Sequence, residues 1–267
     1  MKLLFWNTYG NKKINPYIEG IVDDSDADLL VLSEYQADKK ELSIALSEGR
    51  QQLVESNTIG CDRINIWGNY MDIEAGIQSK YYSVQIINKK VILCGIHLVS
   101  DLHGDRSQER LAIIQAMMYE VKKIEEKLQT HYIIIMGDMN EMPYESGCLN
   151  ANGFHGLPVL SIDDRPSRMV NDIEYRKFYN PMWNFFGNFS HPPGTYYSNQ
   201  SKLSSPMWYM YDQVIISQEV LPWFRHSSLK IITATKMFSL MDKKGCPNKE
   251  ISDHFPIVCE IDNQMFS

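Results

Sequence analysis

The stretch Tyr132–Asn140 reads YIIIMGDMN, an apolar run that ends in Gly137, Asp138 and Asn140. Its β-branched residues and its short length are typical of a buried strand rather than a helix. Polar side chains that directly follow a buried strand are held rigidly, and ligand sites gather where such strands end. The stretch therefore predicts a strand that presents a carboxylate and an amide to a functional site.

Seven further runs of the same character are spread along the chain. Each is short, apolar and rich in β-branched residues or leucine, and each is bounded by polar or turn residues, as buried strands are. They are Leu3–Trp6, Leu29–Leu32, Val84–Ile87, Val91–Ile96, Val214–Ile216, Leu229–Ile232 and Ile257–Ile261.

Helices are predicted between these strands. The longest spans Ser107–Leu128, where apolar residues recur at three-, four- and seven-residue steps and Ser107 is the expected N-cap. Shorter helices are predicted over Pro16–Val22 and Glu41–Gly49. No repeat or flexible linker divides the 267 residues, so we expect one mixed α/β domain with an irregular, aromatic-rich insertion at about 140–211.

Composition and charge exclude several classes of protein. Hydrophobic residues make up 44% and charged residues 22%, which excludes a disordered chain. The net charge of −7 argues against nucleic-acid binding through bulk positive charge, although local basic contacts stay open. No apolar run approaches the roughly 20 residues of a membrane span, so we expect no membrane insertion. The five cysteines form no C-x-x-C pair, as is typical of free thiols in a reducing cytoplasm.

Acidic, amide and imidazole residues also stand at the ends of other predicted strands. Asn7 follows the first strand, Glu34 follows the second, and His97 closes a third. Asp253 and His254 come just before the last strand. Carboxylate and amide oxygens suit Mg²⁺ or Mn²⁺ better than Zn²⁺, which prefers clusters of histidine and cysteine. The sequence therefore predicts a Mg²⁺ or Mn²⁺ site.

The order of these residues resembles that of the endonuclease/exonuclease/phosphatase family, which includes DNase I-like nucleases. Each motif is weak alone, whereas the ordered set, from residue 6 to residue 254, is specific. The motifs are Trp6-Asn7, Ser33-Glu34, Gly95-Ile96-His97-Leu98, Gly137-Asp138-Met139-Asn140, Tyr211-Asp212-Gln213-Val214 and Ser252-Asp253-His254. The resemblance implies a four-layer α/β/β/α sandwich of two mainly antiparallel sheets flanked by helices. It also implies metal-dependent cleavage of a phosphate ester.

The resemblance further implies a set of metal ligands. Glu34 would be the main ligand, with help from Asn7 and Asp253. Two positions depart from the family pattern. Tyr9 stands where many AP endonucleases have an acidic residue, and Glu74 is the only candidate for the carboxylate that often accompanies the first histidine.

Five catalytic roles are implied in the same way. Asp138 would handle proton transfer, and Asn140 would orient it and contact the phosphate. His254, held by Asp212, would act as a base or as a phosphate clamp, and His97 would be a second histidine facing the phosphate. The sequence leaves open whether Asp138 or His254 takes the proton of the attacking water.

Twelve aromatic residues lie between Tyr175 and Tyr211, about a third of that segment. They fit either a loop folded down by packed rings or a platform on which bases stack. Tyr196 and Trp208 are the candidate substrate contacts within this segment. Arg110 is a third candidate, with a surface ion pair as its alternative.

Three functions stay open at this point. The expected one is a nuclease that hydrolyses DNA or RNA phosphodiester bonds by in-line attack of water, so nucleic acid is the expected partner. The alternative is a phosphatase or phosphodiesterase of inositol phosphates or lipid head groups, although no basic cluster suits such a substrate. The second alternative is an inert binding module with the same fold, yet every motif position holds a chemically competent residue.

Overall fold

Two β-sheets lie face to face in the computed structural model, which describes residues 1–69, 72–102, 104–200 and 205–266. Numbered along the chain, the strands are β1 (Lys2–Asn7), β2 (Leu29–Ser33), β3 (Val54–Glu55), β4 (Ile64–Gly68), β5 (Ile73–Ser79), β6 (Tyr82–Ile87), β7 (Val91–His97), β8 (Tyr132–Asp138), β9 (Gly156–Leu157), β10 (Ser167–Val170), β11 (Ile173–Arg176), β12 (Phe178–Tyr179), β13 (Tyr196–Tyr197), β14 (Trp208–Tyr209), β15 (Asp212–Ser217), β16 (Lys230–Ile231) and β17 (Ile257–Glu260). The α-helices are α1 (Asn15–Ser25), α2 (Lys39–Glu48), α3 (Ser107–Leu128) and α4 (Ser146–Leu149).

The two sheets are mainly antiparallel. The first has the strand order β16-β17-β1-β2-β4-β3, in which β1 and β2 run parallel. The second has the order β5-β6-β7-β8-β15-β12-β9, in which β7 runs parallel to β8 and β9 to β12. Apolar residues of α1 and α2 pack on the first sheet, and those of α3 pack on the second. The architecture is the predicted four-layer α/β/β/α sandwich.

Strand β8 shows how the sequence produces these layers. Ile133 and Ile135 pack with the apolar face of α3, whereas Ile134 and Met136 lie in the core between the sheets. Successive side chains of a strand point to opposite faces, and all four are fully buried. A strand that is covered on both faces reads as a continuous apolar run.

The predicted elements are all present, with some changes at their ends. Helix α3 has the predicted bounds, but the expected cap at Ser107 is wrong. Ser107 is the first helical residue, and its N–H donates to Asp105 Oδ1 at 2.8 Å. The predicted strand Leu229–Ile232 shortens to β16. In the described part of the chain, no helix is long and apolar enough to cross a bilayer.

Five strands of the two sheets were not predicted. Three of them, β3, β9 and β12, are only two residues long, and the two longer ones are β4 and β5. In β4, polar Asn65 separates the apolar residues, and β5 is an edge strand whose side chains are exposed or half-buried. Because neither strand has a continuous apolar run, the criterion of an unbroken apolar segment missed both.

The aromatic-rich segment contains short paired strands rather than one long loop. Strand β12 joins the second sheet, and β10 pairs with β11 in a separate hairpin. Strands β13 and β14 form a two-stranded ribbon, in which Tyr196 also bridges to His254. Some rings are therefore buried in the fold, while the ribbon brings others beside the last predicted motif.

Gly137 allows β7 and β8 to lie close together next to their polar ends. A Cβ atom at this position would lie 1.9 Å from the Ile96 carbonyl oxygen, which belongs to the backbone of β7. We therefore expect Gly137→Ala to lower the free energy of unfolding by at least about 2 kcal/mol in urea denaturation. Gly49→Ala is the control, since Gly49 has a φ of −66° and a Cβ there would lie 3.2 Å from its nearest neighbour. Equal losses in the two variants would contradict this explanation.

Candidate active site

The second sheet brings three of the predicted residues into one row. His97 ends β7, Asp138 ends the neighbouring strand β8, and Asp212 begins β15 on the other side. The strand register pairs Asp138 directly with His97 and with Asp212. The three side chains therefore share one edge of the sheet.

The first sheet supplies the other predicted residues at the facing edge. Asn7 ends β1, and Glu34 directly follows the parallel strand β2. Asp253 and His254 arrive from the opposite direction, just before β17, which pairs antiparallel with β1. Glu34 has a φ of +52°, a left-handed conformation that marks a sharp change of chain direction at the site.

The motif Ser252-Asp253-His254 is fixed to β1 by main-chain and side-chain contacts. Ser252 Oγ donates to the Asn7 carbonyl oxygen at 2.7 Å and accepts from the His254 N–H at 3.1 Å. Trp6 Nε1 donates to the His254 carbonyl oxygen at 2.9 Å. These contacts explain why a serine directly precedes Asp253 and His254.

Asn7 joins the two halves of the site. Its Nδ2 donates to Asp138 Oδ2 at 2.9 Å and to Glu34 Oε1 at 3.3 Å, while its Oδ1 accepts from the Tyr9 N–H at 3.0 Å. The amide nitrogen, and not the oxygen that the predicted ligand role requires, faces the carboxylates here. The other oxygen of Asp138, Oδ1, accepts from the Asn140 N–H at 2.9 Å.

Asp212 and His254 form a buried pair. Asp212 Oδ2 lies 2.7 Å from His254 Nδ1, and the two residues are 0% and 7% exposed. Burial opposes a charge on the imidazole, but Asp212, together with Asp138 and Asp253, outweighs it and raises the pKa of His254 to about 10. Burial raises the pKa of Asp212, and the neighbouring His254 opposes this shift. The short contact between the two side chains favours an imidazolium beside a carboxylate.

His97 lies against the carboxylates from the other side. Its Nε2 is 3.4 Å from Glu34 Oε1 and 3.8 Å from Asp138 Oδ2. Burial lowers the pKa of His97, against the opposing effect of these two carboxylates, and the nearby Arg63 guanidinium lowers it further. His97 Nδ1 has no hydrogen-bond partner among the described residues. Glu74 is exposed on β5, and the carboxylates within 4 Å of His97 Nε2 are those of Glu34 and Asp138, so the structure does not pair Glu74 with His97.

The arrangement fits a divalent cation. Glu34, Asp138 and Asp253 line one cavity, and the side chain of Glu34 is 39% exposed. Asp253 Oδ1 is buried and accepts no hydrogen bond from any residue that the structure describes, and burial, together with the neighbouring carboxylates, raises the pKa of Asp253. Such crowding of acidic oxygens is costly unless a cation compensates it.

A second acidic grouping lies close to this one. Ligand atoms of Asp138, Asp212 and His254 all lie within 4.8 Å of one another, as in a metal site. However, Asp212 is inaccessible to solvent and already accepts from His254, so its geometry suits orientation of the imidazole. Glu34 and Asp253 are the better placed ligands because they face the cavity.

The cavity has a volume of about 330 Å³ and includes residues that the sequence analysis missed. Most of these residues lie in loops, where no periodic pattern marks them. Closeness to a motif was the available signal for some, since Tyr9 is two residues after Asn7 and Tyr211 directly precedes Asp212. The additional lining residues are Tyr9, Ser100, Asp101, Leu102, Ser198, Gln200, Tyr209, Tyr211 and Lys249.

The ribbon of β13 and β14 separates the two aromatic candidates. Tyr196 lines the cavity, with its ring centre 4.8 Å from the His254 imidazole and 5.5 Å from the Tyr211 ring. Trp208 pairs with the next residue of β13 and therefore points to the other face, where it stacks on Phe255 at 6.4 Å. The structure thus brings Tyr196 to the site and leaves Trp208 beside the core.

Arg110 does not reach the cavity. It is 3% exposed, and its Nε donates to Glu141 Oε1 at 2.9 Å. Its Nη1 donates to Asp101 Oδ1 at 2.7 Å and to the Val99 carbonyl oxygen at 3.0 Å. Arg110 therefore forms ion pairs, as the alternative predicted, but these pairs are buried and do not lie on the surface.

No protein-family model and no curated protein sequence matches the chain. Solved structures do match over nearly its whole length. A 3′ phosphatase, NExo, from Neisseria, bound to a product DNA hairpin, shares 14% identity at a TM-score of 0.58 and covers 98% of this chain and 99% of its own. An AP endonuclease from Archaeoglobus fulgidus shares 13% at a TM-score of 0.59, with coverage of 98% and 99%. TDP2 from D. rerio, complexed with a single-strand DNA product, shares 16% at 0.57, with coverage of 97% of each chain.

The fold is that of an α/β/β/α sandwich with an acidic cavity at the facing edges of its sheets. More particularly, it is the DNase I-like fold of endonucleases, exonucleases and phosphatases, as the sequence motifs predicted. At identities of 13–16% this likeness concerns the fold.

Proposed function

We propose that the protein is a phosphodiesterase that depends on Mg²⁺ or Mn²⁺ and hydrolyses DNA or RNA by in-line attack of water. One observation carries the proposal. Three carboxylates (Glu34, Asp138 and Asp253) and the His254 imidazole line a single cavity, and the His97 imidazole lies against Glu34 and Asp138, so that four separate chain segments meet there. Structures of the same fold that hold DNA products support nucleic acid as the substrate.

Asp138 and His254 have different roles in the proposed reaction. Asp138, whose two oxygens accept from Asn7 and from the Asn140 main chain, is oriented to take the proton of the attacking water. His254 keeps a proton because of Asp212, so it donates to a phosphate oxygen and offsets its negative charge. This assigns the base role to Asp138 and the clamp role to His254.

The remaining groups hold the phosphate and the cation. His97 Nε2 faces the same carboxylates and is placed to donate to a second phosphate oxygen. Glu34 and Asp253, with Asn7 beside them, would hold Mg²⁺ or Mn²⁺, which supplies Lewis acidity when bound. Tyr196 provides a flat wall next to His254 on which a base can stack.

A substrate panel tests this proposal directly. Purified protein is incubated with single-stranded, double-stranded and abasic DNA, with RNA and with inositol polyphosphates, in Mg²⁺, Mn²⁺ or EDTA. We expect cleavage of at least one nucleic acid with either metal and none with EDTA. Faster turnover of inositol phosphates would favour the phosphatase alternative, and inertness on the whole panel would favour a binding module.

Lys249 provides a further prediction. Among the described residues that line the cavity, it is the one lysine or arginine, and it lies near Asp253. We expect Lys249→Ala to raise KM for an oligonucleotide about fivefold with little change in kcat, because an exposed cation that touches phosphate contributes mainly to binding. Lys243→Ala, an exposed lysine outside the cavity, is the matched control. Equal effects of the two substitutions would refute the assigned contact.

The cysteines are consistent with the cytoplasm as the proposed compartment. All five are free thiols, and four of them are buried in the fold. None has a disulfide partner, as is usual in a reducing environment.

A further inference from the structure

Arg63 lies beside the candidate active site and has no acidic partner in the described part of the chain. It directly precedes β4, is half-buried, and forms no ion pair with a carboxylate among the described residues. Most other arginines of the chain are neutralised by nearby acids. Those that form ion pairs are Arg50, Arg106, Arg110, Arg176 and Arg225.

The guanidinium of Arg63 is held in place without being neutralised. It lies over the Tyr81 ring at 4.8 Å, and its Nη1 is 3.5 Å from the Leu98 carbonyl oxygen. The same carbonyl oxygen accepts from Asn140 Nδ2 at 3.0 Å. The Tyr81 carbonyl oxygen in turn accepts from the His97 N–H at 2.9 Å. Arg63 thus contacts Tyr81 and Leu98, whose carbonyl oxygens accept hydrogen bonds from His97 and Asn140. Both His97 and Asn140 are assigned to the phosphate from the sequence.

The chemistry of this position points to an anion from the substrate. A guanidinium is planar, stays charged at all physiological pH values and binds phosphate through two parallel hydrogen bonds. Stacking on an aromatic ring fixes its plane and leaves its N–H groups available. Under the proposed function the carboxylates of the cavity surround the scissile phosphate. Arg63 lies beside His97 and outside the cavity lining, so its positive charge is available to a second phosphate.

We propose that Arg63 binds the phosphate adjacent to the scissile one, so that the enzyme prefers strands with at least two consecutive phosphates to isolated phosphodiesters. This inference rests on the proposed function and deepens it. It disfavours lipid head groups that carry a single phosphodiester, since these cannot occupy the Arg63 position.

Dinucleotides of defined phosphorylation test the kinetic consequence. The substrate dTpdT carries one phosphate, whereas pdTpdT and dTpdTp add a second on one side or the other. We expect wild-type kcat/KM to be about ten- to hundredfold higher for one of the two extended substrates, and Arg63→Ala to remove this gain while changing dTpdT hydrolysis far less. Arg63→Lys should retain part of the gain, because it keeps the charge but loses the two-pronged contact.

The control is Arg168→Ala, an exposed arginine of β10 that also forms no ion pair among the described residues. It should leave the gain intact. The proposal is overturned if Arg63→Ala preserves the preference for the extended substrate. It is also overturned if the variant slows dTpdT and the extended substrates equally, since Arg63 would then act on the scissile phosphate or on the structure.

Binding measured in EDTA separates this inference from the proposed activity. Fluorescence anisotropy of a labelled oligothymidylate needs no turnover. Arg63→Ala should weaken binding and reduce the slope of log K against log salt by about 0.7, the value for one lost phosphate contact on a single strand. A protein that hydrolyses nothing but shows this change would refute the nuclease and keep the phosphate site. An unchanged slope would refute the phosphate site even if the protein is an active nuclease.

Discussion

Glu34→Gln is expected to lower kcat/KM on a cleaved oligonucleotide by at least about 10³-fold while the fold stays intact. The substitution keeps the size of the side chain and removes one negative charge. Glu34 is part-exposed, and its carboxylate contacts the side chains of Asn7 and His97, so little packing is lost. The loss of rate would come from the cation, because a neutral amide is a much weaker ligand for Mg²⁺ than a carboxylate.

A binding measurement shows that the cation is the cause. A ligand that binds only the folded state raises the melting temperature. We therefore expect added Mn²⁺ to raise Tm of the wild type and to have little effect on Glu34→Gln. In EDTA the variant should be at least as stable as the wild type, because Asp138 and Asp253 then have one fewer like charge beside them.

Glu74→Gln is the matched control for this experiment. Glu74 is an exposed carboxylate on β5, outside the cavity lining. Its substitution should change neither the rate nor the response to Mn²⁺. Near wild-type turnover by Glu34→Gln would show that the metal ligands have been assigned to the wrong residues.

The parts of the site that follow buried strands could be predicted from sequence. Asp138, Glu34 and His97 each stand at the end of an apolar run, and the ends of such runs are fixed in space by the sheet. Once the strand order is known, the register brings Asp138 opposite both His97 and Asp212. Local pattern therefore sufficed to find these residues.

The residues supplied by loops could not be found in the same way. Arg63 reaches the site because the chain before β4 passes Leu98, a contact between residues 35 positions apart. Lys249 and Tyr209 likewise reach the cavity through tertiary contacts that no sequence period reports.

A different factor limited the prediction of the aromatic substrate contacts. Tyr196 and Trp208 are equivalent by composition, and only the pairing of β13 with β14 decides which one faces the cavity. A shift of β14 by one residue would bring Trp208 opposite Tyr196 and turn it to the cavity face. Arg110 is a similar case, since its burial beside Glu141 depends on the packing of α3.

The second large effect is expected at the buried pair of Asp212 and His254. Asp212→Asn and His254→Ala should each lower kcat by about 10²–10³-fold, and the double variant should lose little more than either single one. An imidazole without its carboxylate loses its fixed orientation and its tendency to stay protonated, while a carboxylate without its imidazole has nothing to orient. The two residues, 2.7 Å apart and enclosed by the fold, would then act as one unit.

The comparison of single and double variants distinguishes this unit from two independent contributions. Independent residues would give rate losses that multiply, and such a result would contradict the pairing. His155→Ala is the control, since His155 is also a buried histidine but hydrogen-bonds to the Arg176 carbonyl oxygen away from the cavity. The His155→Ala substitution should lower the free energy of unfolding without a comparable loss of kcat. Added imidazole should restore part of the activity of His254→Ala but none of Asp212→Asn, because only the first variant lacks the proton donor itself.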